Sequence, residues 1–484
     1  MMTKMKKVFH DPSNPVWVFL NQFFSRGAVA LKFLLIARIL GPESVGLISV
    51  ALICLALMEA MTELGMLQAI VQRKENPTKQ QLDTLWTFLF LRGVAITVTM
   101  ICVAPLMAHV FNASNAVLMI YLIAFVPLFR NSASIGLYEQ IRDRNFKLTS
   151  TIQAVTVSID FILCVILILY NNSPISAILS MLIAEIVRTI VTHIVLHTRP
   201  KFSFAFKSIK DITSYGKWIW GHSISSFVFT QMDKVIASRF LGVTILGLYQ
   251  MGQKLTQMAI ADISFAFGQY LFPTFSKMNR ESSRTLYLFY RVNFSLMISF
   301  CALTSIFMVS NSEFIIRFIL GNSWMSLIDI MGLLVISASL AATVNISVMF
   351  VRAIGNPKLV TILTYVQVAV YVIVLLIIGH VTVNTLILAS IIGLMITNMS
   401  LLGYIVYRAD TPMVMDLVRS SLLTLLLSAS LWGTSIIFQG QWLHFIITLG
   451  MYFLLIVTEY KIALKRSHTS KQHIDILEGA LESN

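Results

Sequence analysis

Ala37-Arg38-Ile39-Leu40-Gly41-Pro42-Glu43-Ser44-Val45-Gly46-Leu47 returns 201 residues later as Ser238-Arg239-Phe240-Leu241-Gly242-Val243-Thr244-Ile245-Leu246-Gly247-Leu248. Arg, Leu, both Gly and the closing Leu coincide at that offset, which also pairs Trp17 with Trp218. The similarity therefore starts one apolar segment before the turn, and the chain reads as an internal duplication. Gly41 and Gly242 can take the left-handed conformation that ends a helix, and Pro42 blocks continuation in the first copy. Gly46 and Gly247 then permit close packing as the next helix begins. Arg38 and Arg239, at the ends of apolar segments, suit capping of carbonyls or reaching toward lipid headgroups.

The segments around these turns belong in a bilayer. The 484 residues are 57% hydrophobic and only 12% charged, with a mean hydropathy of +0.80, whereas soluble domains carry roughly 25% charged residues. Apolar stretches long enough to cross a ~30 Å hydrocarbon core as helices fall at residues 15–39, 45–72, 82–110, 115–138, 147–170 and 174–197. A second set follows at 214–241, 245–275, 285–310, 325–351, 358–379, 382–407, 414–438 and 441–463, which makes fourteen. Strand-like alternation is missing, so backbone groups must be satisfied inside helices, and the expected class is an all-α polytopic membrane protein.

The fourteen stretches divide into an N-terminal six-helix bundle (1–198), a cytoplasmic linker (199–213), a C-terminal six-helix bundle (214–407), two additional spans (408–463) and a cytoplasmic tail (464–484). An even number of crossings separates the repeats, so both halves enter the membrane in the same sense, related by an axis along the membrane normal. Duplicated bundles of this kind point to a transporter with its site between the halves.

The formal net charge of +14 is explained by where the cations lie. Lys and Arg cluster in every second connection: Lys4, Lys6 and Lys7; Arg73, Lys74 and Lys79; Arg142, Arg144 and Lys147; Arg199, Lys201, Lys207 and Lys210. The pattern continues through Lys277, Arg280 and Arg284; Arg352 and Lys358; Arg408 and Arg419; and Lys461, Lys465, Arg466 and Lys471. By the positive-inside rule both termini are cytoplasmic. A nucleic-acid surface would need its cations concentrated on one face, and they are not. The basic N-terminus leads into a long apolar run without a small-residue cleavage pattern, so it is expected to be a retained first helix.

Catalytic signatures are missing as well. There is no Asp-x-Asp, His-Glu-x-x-His, Gly-x-Ser-x-Gly or phosphate loop, and the longest outer connection, around residues 311–324, is too small for a catalytic domain. The expectation is a protein that is not an enzyme, with no cofactor and no metal. Cys54, Cys102, Cys164 and Cys301 all fall inside apolar spans without metal spacing and are expected to pack in the core.

What is unusual is charge inside the spans. Counting inward from each boundary puts Arg26, Glu59, Arg92, Arg130, Asp160 and Glu185 near the midplane, with Lys32, Glu63 and Arg188 not far away. Each costs at least ~2.5–3.5 kcal/mol there, so several together imply a shared polar interior. Glu59 and Glu63 are four residues apart on one helical face, Glu185 and Arg188 three apart. Arg26 reaches about the depth of Glu59 from the opposite side, which allows an Arg26–Glu59 pair. Five cations stand against four anions, and Arg offers planar donors suited to phosphate oxygens. Arg26, Lys32, Arg92, Arg130, Arg188 and, in the second half, Lys254 are therefore the candidate substrate-binding residues. Glu59, Glu63, Asp160 and Glu185 are candidates for ion coupling or charge pairing. The second half also carries Lys217, Asp233, Lys234, Asp262, Arg291 and Asp329, whereas spans eleven to fourteen lack central charges and suit lipid-facing walls. Structural pairing and direct function weigh equally for any one of these groups.

Several local stretches resemble a known family: Ala37-Arg38-Ile39-Leu40-Gly41-Pro42-Glu43 through Gly46; Glu63-Leu64-Gly65 followed by Ala69-Ile70-Val71-Gln72-Arg73-Lys74; Tyr215-Gly216-Lys217-Trp218; Phe272-Pro273-Thr274-Phe275-Ser276-Lys277; and Gly321-Asn322-Ser323-Trp324. Together, and over nearly the whole chain, they resemble the Wzx-type flippases, the polysaccharide-transporter branch of the multidrug/oligosaccharidyl-lipid/polysaccharide flippase superfamily. The resemblance implies that a lipid-linked oligosaccharide, usually on undecaprenyl diphosphate, crosses the bacterial inner membrane by alternating access during assembly of a surface polysaccharide (O-antigen, capsule or exopolysaccharide). Sugar and diphosphate would occupy the cavity while the polyprenyl chain stays in lipid. A polysaccharide polymerase and chain-length machinery are the implied partners. Family cavities are polar and often cationic, a character that Arg26, Arg92, Arg130 and Lys254 match by depth. Two other functions remain open: an ion-coupled multidrug antiporter of the same superfamily, which favours an acidic cavity, and a non-transporting scaffold for glycan assembly, in which such charges are an expensive feature.

Overall fold

The computed structural model describes residues 11–408 apart from Pro15, Leu64, residues 67–69, residues 71–75 and Ser282, together with Ile446, Ile447, Leu449, Gly450, Met451, Phe453, Leu454 and Val457. The expected span 414–438, most of the span 441–463, the tail, and the basic residues Lys4, Lys6, Lys7, Arg73, Lys74, Arg419, Lys461, Lys465, Arg466 and Lys471 lie outside the described residues. The described residues form helices joined by short connections, with no strand among them. The chain divides into two compact units that meet in sequence at Gln250 and Met251.

The first unit opens with α1 (Val16–Thr62), which covers the first expected span from residue 16 and the second, 45–72, only as far as Thr62. Gly41 (φ 76°, ψ −177°) breaks it, a conformation open to glycine, and Pro42 withholds the N–H that would bridge the break. α2 (Lys79–Val110) starts with a reciprocal cap: Thr78 Oγ1 accepts from Gln81 N–H at 3.3 Å, and Gln81 Oε1 accepts from Thr78 N–H at 3.0 Å.

The fourth expected span, 115–138, is not one helix. It breaks into a 3-10 turn (Ser114–Ala116), α3 (Val117–Ile123), α4 (Phe125–Ser132) and α5 (Gly136–Arg142). Pro127 lacks the N–H that would bond back across the α3–α4 junction, and Ala133 is extended (φ −57°, ψ 151°). α6 (Phe146–Asn171) is capped by Asn145, whose side chain accepts from Leu148 N–H at 3.3 Å, and ends at Asn172 in the left-handed conformation. It packs closely against α1 and α7 (Ile175–Val195), while α4 packs against α2 and α7. After α7 the connection folds back on the start of α2. Lys201 N–H donates to Asp83 Oδ1 at 3.0 Å, Ser203 N–H to Thr87 Oγ1 at 2.9 Å, and the Phe202 ring contacts Trp86 and Phe90. A 3-10 turn (Phe206–Ile209) leads into α8 (Lys210–Leu241), which packs on α1.

The repeated turns meet. α8 ends at Gly242 (φ 87°), and α9 (Val243–Thr256) follows at once. A Cβ built on Gly46 would lie 2.0 Å from Val243 O, and one on Gly247 would lie 1.9 Å from Pro42 O. Each copy of the turn thus presses its second glycine onto the backbone of the other. Nearby, Arg239 Nη1 donates to His109 O at 2.9 Å and Ser238 Oγ to Phe111 O at 2.7 Å, so Arg239 caps the end of α2.

In the second unit α9 runs through a π turn (Gln257–Ala261) into α10 (Asp262–Glu281), followed by α11 (Ser283–Ser310), the short α12 (Ser312–Ile319) and a 3-10 turn (Asn322–Leu327). α13 (Ile328–Ala353), α14 (Pro357–Ile378) and α15 (Val383–Arg408) complete the described part. The buried rings of Phe275, Tyr290, Phe294 and Phe350 join α10, α11 and α13, and Tyr290 OH shares a 2.8 Å hydrogen bond with Ser347 Oγ.

Nine helical stretches among the described residues are long and apolar enough to cross a bilayer, α1 covering the first expected span and most of the second. α8 and the run from α9 through α10 fill the seventh and eighth expected positions with more charge. α14, apolar almost throughout, buries only Val360, Leu363 and Tyr371, and Leu106, Leu169, Ile194, Leu376 and Ile377 are all more than half exposed. Outward apolar surface on this scale is tolerated in lipid and not in water, so the chain is an all-α multi-pass membrane protein. Cys54, Cys164 and Cys301 are buried as expected, but Cys102 is exposed on the outer side of α2 and does not pack in the core.

Candidate functional site

The first unit gathers most of the charges that the sequence places inside the spans. Three helices hold the first group. Lys32 of α1 donates to Asp160 Oδ1 of α6 and to Ser180 Oγ of α7 at 3.2 Å, the Lys32 and Asp160 side chains being 12% and 19% exposed. In a pair this sheltered each partner offsets the other's desolvation.

The second group is continuous across four elements. Arg130 of α4 donates through Nη1 to Glu59 Oε1 of α1 at 2.7 Å and through Nε to Glu185 Oε1 of α7 at 3.0 Å. Arg188, one turn after Glu185, donates to its other oxygen, Oε2, at 2.9 Å. Arg92 of α2 donates to Glu63 Oε2 at 3.0 Å, to Thr62 Oγ1 at 3.1 Å and to the Glu59 carbonyl at 3.2 Å. Arg92 thereby neutralises a carboxylate and caps the C-terminal end of α1, where carbonyls lack helical partners. Trp220 Nε1 of α8 serves the same end by donating to Met61 O at 2.7 Å. Glu63 Oε1 accepts from the N–H of Gly65, a residue with φ 57°.

Three cations, Arg92, Arg130 and Arg188, therefore face three anions, Glu59, Glu63 and Glu185, and the group is neutral. Lys32 and Asp160 cancel separately. The structure gives Glu59 to Arg130, a partner that depth counting did not single out. Arg26 lies exposed on α1, fewer than two turns before Lys32, and Lys254 is half-buried near the end of α9, in the second unit.

Beside the network is a cavity of ≈370 Å³. Glu59 and Glu63 form one wall with Ala56 and Ala60; Ser223, Ser226, Thr230 and Gln231 of α8 form the other, with Phe227. The α8 residues escaped the sequence reading because they carry no charge. Their signal was spacing: 223, 226, 227, 230 and 231 are one helical face, polar at four positions in an apolar span.

This is a class of protein with known solved shapes. Over 92% of its length the chain superposes on 97% of the lipid II flippase MurJ in an inward closed conformation, with a TM-score of 0.75 and 16% identity. An inward-facing multidrug resistance MATE family transporter of the MOP superfamily matches 79% of the chain and 96% of its own with a TM-score of 0.58 and 17% identity. The fold is that of these polytopic transporters. Within it, the chain belongs to the polysaccharide biosynthesis protein family, whose model matches residues 35–329.

Relatives agree with that membership. The lipopolysaccharide biosynthesis protein WzxC of Escherichia coli (strain K12) is 24% identical over 336 residues, 68% of this chain and 65% of that protein. The succinoglycan biosynthesis transport protein ExoT of Rhizobium meliloti (strain 1021) is 21% identical over 68% of this chain and 67% of its own length. The teichuronic acid biosynthesis protein TuaB of Bacillus subtilis (strain 168) is 22% identical over 59% of each chain. The matched stretch thus spans just under two thirds of WzxC and less of TuaB.

Proposed function

We propose that the chain is a flippase, not an enzyme, that carries an undecaprenyl-diphosphate-linked oligosaccharide from the cytoplasmic to the periplasmic leaflet by alternating access, for assembly of a surface polysaccharide. The observation that carries this reading is the ion-pair network of Arg92, Arg130 and Arg188 with Glu59, Glu63 and Glu185, carried by apolar helices and the residue just past the end of α1, beside an open cavity. Charge at that depth is expensive and serves a polar cargo or its coupling ion. The names of WzxC, ExoT and MurJ place related chains in lipopolysaccharide biosynthesis, succinoglycan transport and lipid II flipping.

In this reading Arg26, Lys32, Arg92, Arg130, Arg188 and Lys254 supply the donors for the diphosphate. Glu59, Glu63, Asp160 and Glu185 hold the cations and offer coupling sites for protons or sodium. The two six-helix bundles, 1–198 and 214–407, are the moving halves. The membrane is the bacterial inner membrane, and polymerase and chain-length proteins are the partners at its outer face.

The test is transport in proteoliposomes containing only this protein and a labelled lipid-linked oligosaccharide. Export should proceed with the parent protein and fall by at least about ten-fold in an Arg26→Ala, Arg92→Ala variant that still inserts, since charge-assisted bonds contribute about 1.5–3 kcal/mol each. Undiminished export by that variant removes the arginines from the site; no export by the parent removes the flippase reading.

Orientation is tested separately. Reporter fusions at Asn172, Val383 and Gly440 should read periplasmic, and fusions at Lys79 and Lys207 cytoplasmic. A cytoplasmic reading at Gly440, which lies outside the described residues, breaks the fourteen-span topology.

A further inference from the structure

We propose that the cavity between the second half of α1 and α8 is a subsite for an uncharged sugar, read through its hydroxyl groups, so that the protein discriminates against a sugar bearing a carboxylate at this position. The inference rests on the lipid-linked oligosaccharide reading above and adds which part of the cargo sits here and what it must not carry.

Charge is the first argument. Glu59 and Glu63 stand on the cavity wall, and the cations nearest to them, Arg92 and Arg130, are already engaged by carboxylates. The surrounding group of three cations and three anions is balanced, and Lys234 on the α8 side gives its ammonium hydrogens to Thr230 O at 2.9 Å and Gln231 Oε1 at 3.2 Å. An acidic sugar would bring a fourth anion next to two carboxylates that already hold their cations. A neutral occupant leaves the balance intact.

Hydrogen-bonding capacity is the second. Glu59 Oε1 accepts from Arg130, while among the described residues no donor reaches Glu59 Oε2. Gln231 Oε1 accepts from Lys234 Nζ at 3.2 Å, which leaves its amide hydrogens to give. The hydroxyls of Ser223 and Ser226 both give and accept, and Thr230 Oγ1, which donates to Ser226 O at 2.8 Å, still accepts. One wall therefore only accepts, while the α8 wall offers an amide that gives and hydroxyls beside it. Adjacent sugar hydroxyls, each a donor and an acceptor, complete such a set; a hydrophobic cation would satisfy the carboxylate and leave the hydroxyls and the amide without partners. Phe227, Ala56 and Ala60 provide apolar surface for the C–H face of a ring. The volume, ≈370 Å³, falls within the ~300–1,000 Å³ of small-ligand sites.

The walls are also braced. Arg92 bonds the carbonyl of Glu59 and Trp220 that of Met61, both within the stretch that carries Glu59 and Glu63 at the end of α1. The acceptors are thus positioned before a ligand arrives, which limits the ordering that binding must impose.

The experiment uses the full chain in lipid nanodiscs and three farnesyl diphosphate lipids, one bearing glucose, one glucuronate and one no sugar. The glucosyl lipid should bind about ten-fold more tightly than either of the others, the scale of one or two hydrogen bonds to a charged or amide group. Ser226 is exposed and Gln231 half-buried, so a Ser226→Ala, Gln231→Ala variant should fold. It should bring the glucosyl lipid down to the level of the sugar-free lipid, without a matching loss for the latter. Equal or tighter binding of the glucuronyl lipid, or a double variant that keeps the glucosyl preference, overturns the subsite. The same lipids in proteoliposomes separate the two readings. The expected binding pattern without transport supports the subsite and overturns the flippase; transport with no sugar-dependent binding overturns the subsite alone. No binding of any of the three overturns both.

Discussion

Replacing Gly247 by valine is expected to abolish recovery of folded protein, and replacing Gly46 by valine to do the same. A Cβ at Gly247 would stand 1.9 Å from the carbonyl oxygen of Pro42, and one at Gly46 would stand 2.0 Å from that of Val243. The atoms in the way are backbone, so no rotamer change relieves the overlap. The two turns must separate by more than an ångström, and the helices leading from them must move too. Overpacking that side chains can absorb costs about 1–3 kcal/mol; here the cost exceeds that range. The control is Gly27, where a Cβ meets nothing within 4 Å, so Gly27→Ala should be neutral or slightly stabilising. Size-exclusion profiles after a graded heating step read both. A Gly247→Val protein that withstands heating as well as the parent would show that the turns do not touch as described.

Arg130→Ala is expected to be the most damaging change within the charged network. It leaves Glu59 without the guanidinium at 2.7 Å and takes one of two cations from Glu185. Removing one partner of a buried pair costs about 3–5 kcal/mol. The side chains of Arg130 and Glu59 are 32% and 31% exposed, so water recovers part of that, and the expectation is about 2–3 kcal/mol. Arg130→Lys should be intermediate, because an ammonium lacks the planar fork that serves two carboxylates on different helices. Adding Glu59→Gln to Arg130→Ala should restore part of the loss, since it removes the stranded charge. A thermal unfolding series over the parent, Arg130→Ala, Glu59→Gln and the double variant yields the coupling directly. Strictly additive effects of the two substitutions would mean that the ion pair contributes nothing.

The helices were legible where hydrophobicity alone decides them. The stretches 147–170, 174–197, 358–379 and 382–407 are each a single helix whose ends differ from expectation by a few residues, because nothing inside them competes with an apolar, hydrogen-bonded rod. The stretch 115–138 read the same way and is broken. Its breaks depend on Pro127 and on the extended Ala133, local backbone effects that a count of apolar residues passes over. The members of the charged network and of the separate Lys32–Asp160 pair were legible from depth, since Glu59, Glu63, Arg92, Arg130, Glu185, Arg188, Lys32 and Asp160 are costly inside an apolar span. Their pairing was not. Several cations share a depth, and which one meets Glu59 depends on helix neighbours and rotation, which place Arg130 of α4 there. The α8 wall of the cavity was the least visible, because serine, threonine and glutamine cost little in a span and stand out only by their spacing.

The contact between the repeated turns has the form of a handshake between equals. At the repeat offset Val243 is the counterpart of Pro42 and Gly247 that of Gly46, so Gly46 meets the counterpart of Pro42 while the counterpart of Gly46 meets Pro42. When residue i touches j of a copy and j touches i, the interface is isologous, the self-complementary kind by which two identical chains form a closed pair. A half-length ancestor bearing this turn already possessed the surface needed to associate with itself. Holding both copies in one chain makes such an encounter intramolecular and leaves each copy able to differ from the other. Pro42 became or remained proline where Val243 is valine, and the dense charges of the first half have no equal in the second.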